Sequence, residues 1–344
     1  MSYCDIRFFY LFIRLEKLKS LLLASSTRAV TASRLEGLLL SVRREALVGR
    51  LAVRQTSPAL KNMGERKTVA FIGLGAMGRG IAANLAAAAA QQGDEIASPV
   101  LVWNRTASKS EQHAAEFGTR CARALSELSQ ADVIISCLPT SVEVATVVEE
   151  LSPELKSGSI WIDCTSGEPD ATKKLASKLA TRGITMVDCP VSGGPAGAKS
   201  GQLTAMIGGD VDDRAKPIIS LFAKKKVVDC GPVGAGHAVK AMNNCLNAAH
   251  LIVGGEALIA LKRWGVSPEV ALSAINASSG RSLQTEERLP KEVLSREFDY
   301  GFKLGLMYKD VRIAIENLGS SFDENSLLPL VEKMLQASVD EQGF

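Results

Sequence analysis

Thr68-Val69-Ala70-Phe71-Ile72-Gly73-Leu74-Gly75-Ala76-Met77-Gly78 is the stretch on which the reading of this 344-residue chain turns. An apolar run of strand length passes directly into three glycines, and an Ala-rich segment of helical composition continues through Ala90. Placed between a strand and a helix, such glycines allow a tight turn and a close approach of backbone to a pyrophosphate, which the helix N-terminal amides then face. The plain alternative is a glycine turn that only packs a helix onto a sheet. The strand-to-helix context favours the dinucleotide site, formed by Gly73, Leu74, Gly75, Ala76, Met77 and Gly78.

Outward from this stretch the chain alternates short β-branched runs with Ala/Leu-rich segments, the pattern of βαβ units. Strands are expected at 68–72, 100–103, 133–137, 160–162, 185–187, 203–207 and 226–228. Several are apolar throughout, as strands covered on both faces are. After Gly231 no strand pattern recurs and helical periodicity runs to the C-terminus. The expected fold is α/β: a Rossmann-type doubly wound sheet over residues 66–231, then an all-α domain over 232–344.

Residues 1–62 hold 11 Lys/Arg against 4 Asp/Glu, so the net charge of +3 is confined to this segment and the remainder is acidic. Its Leu, Ser, Ala and Arg content suits a mitochondrial presequence, which would place the protein in the matrix; Asp5 and Glu16 weaken that reading. Alternatively Met63 is the functional start and the protein is cytoplasmic. The acidic body gives no support to nucleic-acid binding. Seven cysteines without a CxxC pair or a Cys/His cluster suggest neither a disulfide framework nor a metal site. The apolar N-terminal runs, 8–13 and 21–24, are far shorter than a bilayer span, so no membrane association is expected.

The second strand bears on the cofactor. It runs into Asn104-Arg105-Thr106, without the acid that usually binds the ribose hydroxyls of NAD. Arg105 can pair with a 2′-phosphate, and Asn104 and Thr106 can hydrogen-bond to it, so NADP is favoured over NAD.

A long apolar helix is expected after Gly231-Pro232-Val233-Gly234-Ala235-Gly236, buried on several sides. On it Lys240, Asn244 and Asn247 recur at i, i+4 and i+7 and share one face. A lysine whose pKa is lowered by burial can protonate a forming alkoxide or deprotonate an alcohol, with Asn244 holding the substrate or the amine. The competing reading is a lysine that snorkels from a solvated face. Ser192, Gly193 and Gly194 follow another strand and offer a hydroxyl with closely spaced amides, a cradle for a carboxylate or else an ordinary turn. Lys309-Asp310, in a helix spanning 304–318, reads by itself as a surface ion pair.

Taken in order, Gly73–Gly78, Cys137-Leu138-Pro139-Thr140, Asp163-Cys164-Thr165-Ser166, Asp188–Gly194, Gly231–Asn244 and Lys309-Asp310 resemble the 3-hydroxyisobutyrate dehydrogenase family, within the β-hydroxyacid dehydrogenases. The resemblance covers about residues 67–340. It implies hydride transfer between NADP(H) and a small carboxylate-bearing 3-hydroxyacid or its semialdehyde. It also implies the glycines at the pyrophosphate, Leu138 and Pro139 beside the cofactor, Thr165 and Ser166 on the nicotinamide side, Ser192, Gly193 and Gly194 at the substrate carboxylate, Lys240 as acid/base, Asn244 in support, and Lys309 reaching the site. The chain departs from the family in the order Thr165-Ser166, where Ser-Thr is common. Asn104-Arg105-Thr106 is similar to the glyoxylate and succinic semialdehyde reductase branch, and the segment 279–290, which should border the pocket, matches neither branch. An imine reductase, or a non-catalytic NADP-binding module, would share the fold; Lys240 counts against both. The apolar helix suggests a homodimer or higher homo-oligomer.

Overall fold

The computed structural model describes residues 66–91, 96–211, 213–298, 301–318 and 326–341; the expected extension 1–62 lies outside the described residues. Met63–Phe344 forms one compact unit. In chain order its elements begin β1 (Val69–Ile72), α1 (Gly78–Ala90), β2 (Leu101–Trp103), α2 (Ala107–Phe117), β3 (Arg120–Cys121), β4 (Val133–Ser136) and α3 (Ser141–Leu151). They continue β5 (Ile160–Asp163), α4 (Pro169–Ala180), β6 (Thr185–Asp188), β7 (Val191–Ser192), α5 (Gly194–Ser200), β8 (Thr204–Gly208), α6 (Ala215–Phe222) and β9 (Lys226–Gly231). Helices complete the described chain: α7 (Ala235–Arg263), α8 (Pro268–Asn276), a wide-turned segment Gln284–Leu294, α9 (Leu304–Leu318) and α10 (Leu327–Glu341).

The sheet order is β3-β2-β1-β4-β5-β6-β8-β7, with β9 on β8. The first six strands are parallel, so β1 and β4 sit where the winding reverses, and their C-terminal ends open the crevice in which such sheets bind ligands. Strands β1, β4 and β5 are buried at every position, because helices cover both faces. One face packs Phe71, Ile135 and Ile162 under α1 and α6; the other packs Ile72, Ile134 and Trp161 under α3 and α4. Beyond β6 the sheet changes direction: β8 runs antiparallel to β6 and β7, and parallel to β9.

Two strands escape the sequence pattern, β3 and β7, each two residues long and so without alternation to read. As expected, α7 is buried on several sides: Ala241, Cys245, Ala248 and Ala249 pack in one cluster, and Leu251, Leu258 and Leu261 in another with α8 and the wide-turned segment. A stripe of Val239, Leu246 and Val253, spaced i, i+7 and i+14, lies exposed. α7 is about 43 Å long, 29 residues at 1.5 Å each. It is also long and apolar enough by composition to cross a bilayer. Its inward face packs on α9 and α10 through Cys245, Ala248, Val311, Ala314 and Val331.

Candidate active site

Construction starts at the glycine loop. Gly73 has φ of +98°, open to glycine at little cost, and a Cβ there would fall 2.4 Å from the Cys137 carbonyl oxygen. A Cβ on Gly78 would fall 1.9 Å from the Gly73 carbonyl oxygen, so only glycine lets α1 start this close to β1. Gly75 differs: a Cβ there meets nothing within 4 Å. Among the described residues nothing stands against Gly75, which leaves room for a pyrophosphate at this turn, so the loop fits a dinucleotide. Within the loop, Ala76 is exposed and Met77 half-buried, while the Leu74 side chain joins the core and its N–H donates to Asn104 Oδ1 at 2.9 Å.

The Asn104 amide oxygen thus holds the glycine loop, and its Nδ2 donates to the Thr106 carbonyl at 3.1 Å, which leaves one N–H of the amide for a phosphate. Arg105 and Thr106 are exposed, and the Thr106 hydroxyl does not cap α2 although the residue occupies the cap position. Lys109, one turn into α2, was not singled out in the sequence; it lines a cleft of about 150 Å³ with Leu74, Arg79, Gln112 and His113. Arg79 is engaged by Glu116 and by the Phe117 ring, 4.9 Å away. Arg105 and Lys109 form no ion pair among the described residues and remain available to an anion.

Further along the same sheet edge, Pro139 is exposed and Leu138 half-buried, and the Leu138 N–H donates to Thr165 Oγ1 at 3.0 Å. Thr165 is buried and its own N–H donates to Asp163 Oδ1 at 3.1 Å; Ser166 keeps partial exposure. In this chain's order, then, Thr165 ties two loops together. The Ser166 carbonyl oxygen accepts from Lys309 Nζ at 2.6 Å. The reading of Lys309-Asp310 as a surface pair fails on burial: Asp310 is 2% exposed, faces Lys309 Nζ at 2.8 Å, and accepts from Asn244 Nδ2 at 2.5 Å.

Lys240 lies in this assembly on the inward face of α7, 9% exposed. It makes no hydrogen bond or ion pair among the described residues. Burial pulls its pKa below the ordinary lysine value; the Asp310 carboxylate opposes the fall and the Lys309 ammonium adds to it. The structure thus brings Lys240, Asn244 and Lys309 together around Asp310, a residue the sequence reading had left outside the site. Asn247, the third member of the helix stripe, instead pairs with Gln284 of the wide-turned segment.

One further buried group, Asp188, had been given no role of its own. Asp188 accepts from the Gly234 N–H at 2.7 Å and the His237 N–H at 2.8 Å, so a carboxylate at the end of β6 caps the first turn of α7. Burial raises the Asp188 pKa, against the pull of His237 and these amides. The sequence offered no cue, because the partners lie 46 and 49 residues away. Just beyond β6, Ser192 ends β7 opposite Thr204, and Gly193 and Gly194 both have positive φ, +137° and +63°.

A pyrophosphate loop at the winding reversal, with a buried, unpaired lysine behind the same sheet edge, defines a nicotinamide-dependent oxidoreductase. Residues 68–231 match the family described as the NAD binding domain of 6-phosphogluconate dehydrogenase, and residues 234–343 that described as NAD-binding of NADP-dependent 3-hydroxyisobutyrate dehydrogenase. The 2-(hydroxymethyl)glutarate dehydrogenase of Eubacterium barkeri is 34% identical over 253 residues, covering 72% of this chain and 81% of its own. The mitochondrial 3-hydroxyisobutyrate dehydrogenase of Mus musculus is 32% identical over 273 residues, 76% and 78% of the two chains. Among solved structures, the Mycobacterium tuberculosis 3-hydroxyisobutyrate dehydrogenase with L-serine has a TM-score of 0.73 at 26% identity, covering 80% of this chain and 94% of that one. The chain belongs to the 3-hydroxyisobutyrate dehydrogenase family of NAD(P)-dependent hydroxyacid dehydrogenases.

Proposed function

We propose that this enzyme interconverts a small 3-hydroxyacid and its semialdehyde with NADP(H), and that Lys240 carries the proton. The observation that carries this reading is a lysine buried without a hydrogen-bond partner, its pKa lowered, at the carboxyl edge of a dinucleotide sheet. The bound cofactor supplies or accepts the hydride. As an amine, Lys240 takes the proton of the substrate hydroxyl; as ammonium, it returns a proton to the carbonyl oxygen. Asn244, fixed by Asp310, keeps an amide beside that exchange, and Lys309 holds the 165–167 loop against α9 through the Ser166 carbonyl.

Ser192, Gly193 and Gly194 support recognition of the substrate carboxylate: a hydroxyl precedes two glycine amides, and a Cβ at Gly194 would meet nothing within 4 Å among the described residues, which leaves room for an anion. The family relative solved with L-serine holds a 3-hydroxy acid of this size. NADP is preferred to NAD because Arg105 and Lys109 are unpaired cations one helical turn apart, where NAD enzymes place an acid. The exposed apolar stripe of α7, Val239, Leu246 and Val253, supports a homodimer that buries this face. Residues 1–62 act as a mitochondrial targeting segment on their composition, a reading supported by the mitochondrial relative. The test is a panel of small 3-hydroxyacids assayed with NADP and with NAD. Turnover of at least one acid with NADP in excess of NAD is expected, and failure of every 3-hydroxyacid and semialdehyde would overturn the reading.

A further inference from the structure

One buried histidine takes no part in the mechanism above. His237 stands in the first turn of α7, three residues before Lys240, so the two side chains are neighbours on the helix. Its ring is 1% exposed. The Thr172 hydroxyl lies 3.0 Å from the Glu168 carbonyl oxygen and 2.8 Å from His237 Nδ1, so a buried hydrogen bond joins α4 to the ring. The opposite nitrogen, Nε2, is buried without a hydrogen bond and faces Asp163 Oδ2 at 3.9 Å.

Three segments meet on this ring. A Cβ at Gly167 would fall 2.9 Å from His237 Cε1, so the loop that follows Thr165-Ser166 lies flat against it. Asp163, at the root of that loop, also accepts from Ser136 Oγ and from the Thr165 N–H. Thr172 belongs to α4, behind the loop. Asp188 meanwhile holds the backbone N–H of the same histidine.

We propose that His237 is a positioning residue: its Nδ1 hydrogen bond with Thr172, with the ring packed on Gly167, fixes the first turn of α7 against the 165–167 loop. Lys240 and the nicotinamide-side loop are thereby held in one geometry. The inference rests on Lys240 carrying the proton, and the turnover of Lys240→Ala tests that premise separately. A misplacement of about 1 Å in a reacting group costs on the order of 10²-fold in rate, so the effect belongs in kcat.

The test uses the full-length enzyme and three variants. His237→Leu keeps bulk and removes both ring nitrogens; His237→Gln restores a polar group able to donate or accept; Thr172→Val removes the hydroxyl in an isosteric side chain. Expected are falls in kcat of roughly 10- to 100-fold for His237→Leu and in the same direction for Thr172→Val, with KM changed less than threefold. His237→Gln should recover at least part of the loss, and the Leu/Val double variant should lose no more than the worse single variant. In the unmutated protein, one of the three histidine rings should show a hydrogen-bonded Nδ1 by nitrogen NMR and lose that signature in Thr172→Val. The proposal is overturned if His237→Leu or Thr172→Val keeps kcat within twofold, if Gln recovers nothing, or if the Nδ1 signal is the same in Thr172→Val.

Discussion

Lys240 is asked to hold a charge where water barely reaches, and the consequence is visible in two kinds of pH dependence. Because burial lowers its pKa, the amine needed for alcohol oxidation appears below the ordinary lysine range, so oxidation should rise with pH through that value. Carbonyl reduction needs the ammonium form and should fall through the same value. Both inflections should vanish in Lys240→Ala, with rates lower by about 10²–10⁴; profiles of kcat/KM in each direction check this. For stability the sign follows from proton counts. Between the lowered native pKa and the ordinary one, the unfolded chain binds the extra proton, so stability rises with pH across that window and is lost as pH falls through the native value. Lys240→Met should therefore raise the melting temperature at neutral pH, with the gain shrinking in alkali. Arg105 carries a residue-scale prediction of its own. If it meets the 2′-phosphate, Arg105→Ala loses a charge-assisted hydrogen bond of roughly 1.5–3 kcal/mol, and KM for NADPH should rise about 10- to 100-fold while that for NADH moves little. Of these residues, Lys240 and Asn244 were legible because polar groups stand out on an apolar helix. Asp310 was half legible, since its pairing with Lys309 was visible and its burial was not. Asp188 and His237 were not, because their contacts join segments distant in sequence.

At the scale of elements, the loop and the long helix separate folding from binding. Gly78→Ala forces a Cβ into the Gly73 carbonyl and should destabilise the free protein. Gly75→Ala meets no protein atom, so melting of the free protein should be unchanged while affinity for NADPH falls, because the new methyl occupies the pyrophosphate side. Calorimetry of the free protein beside cofactor titration distinguishes the two. Asp188 makes the start of α7 part of the sheet. Asp188→Ala leaves the Gly234 and His237 amides bare, at roughly 1–3 kcal/mol each, read as a fall in the denaturant midpoint. Most elements were readable within a residue or two, since strands covered on both faces advertise themselves as apolar runs and α9 spans the expected 304–318. β3 and β7 were unreadable because two residues have no period. The segment 279–290 became largely a wide-turned helix with Pro290 inside it, a geometry no local propensity announces.

In the whole molecule, the sheet supplies a cofactor edge and the helical part presses a lysine, an asparagine and Lys309 against it. The alternation of βαβ units made the first half predictable, and the loss of strand pattern after Gly231 made the second. What sequence alone did not give was the exposed apolar stripe of α7, because an apolar residue looks the same whether its partner is in the same chain or in another. If the exposed face joins two copies, Val253→Glu should shift the sedimenting species from dimer to monomer at micromolar concentration. A monomer in the unmutated protein would remove the dimer from the account. The most direct measurement of the central claim is the appearance of reduced nicotinamide when the enzyme is mixed with NADP and a small 3-hydroxyacid, run beside Lys240→Ala. The account predicts steady turnover in the first and a loss of about 10²–10⁴ in a folded, cofactor-binding variant; near-equal rates in the two would contradict it.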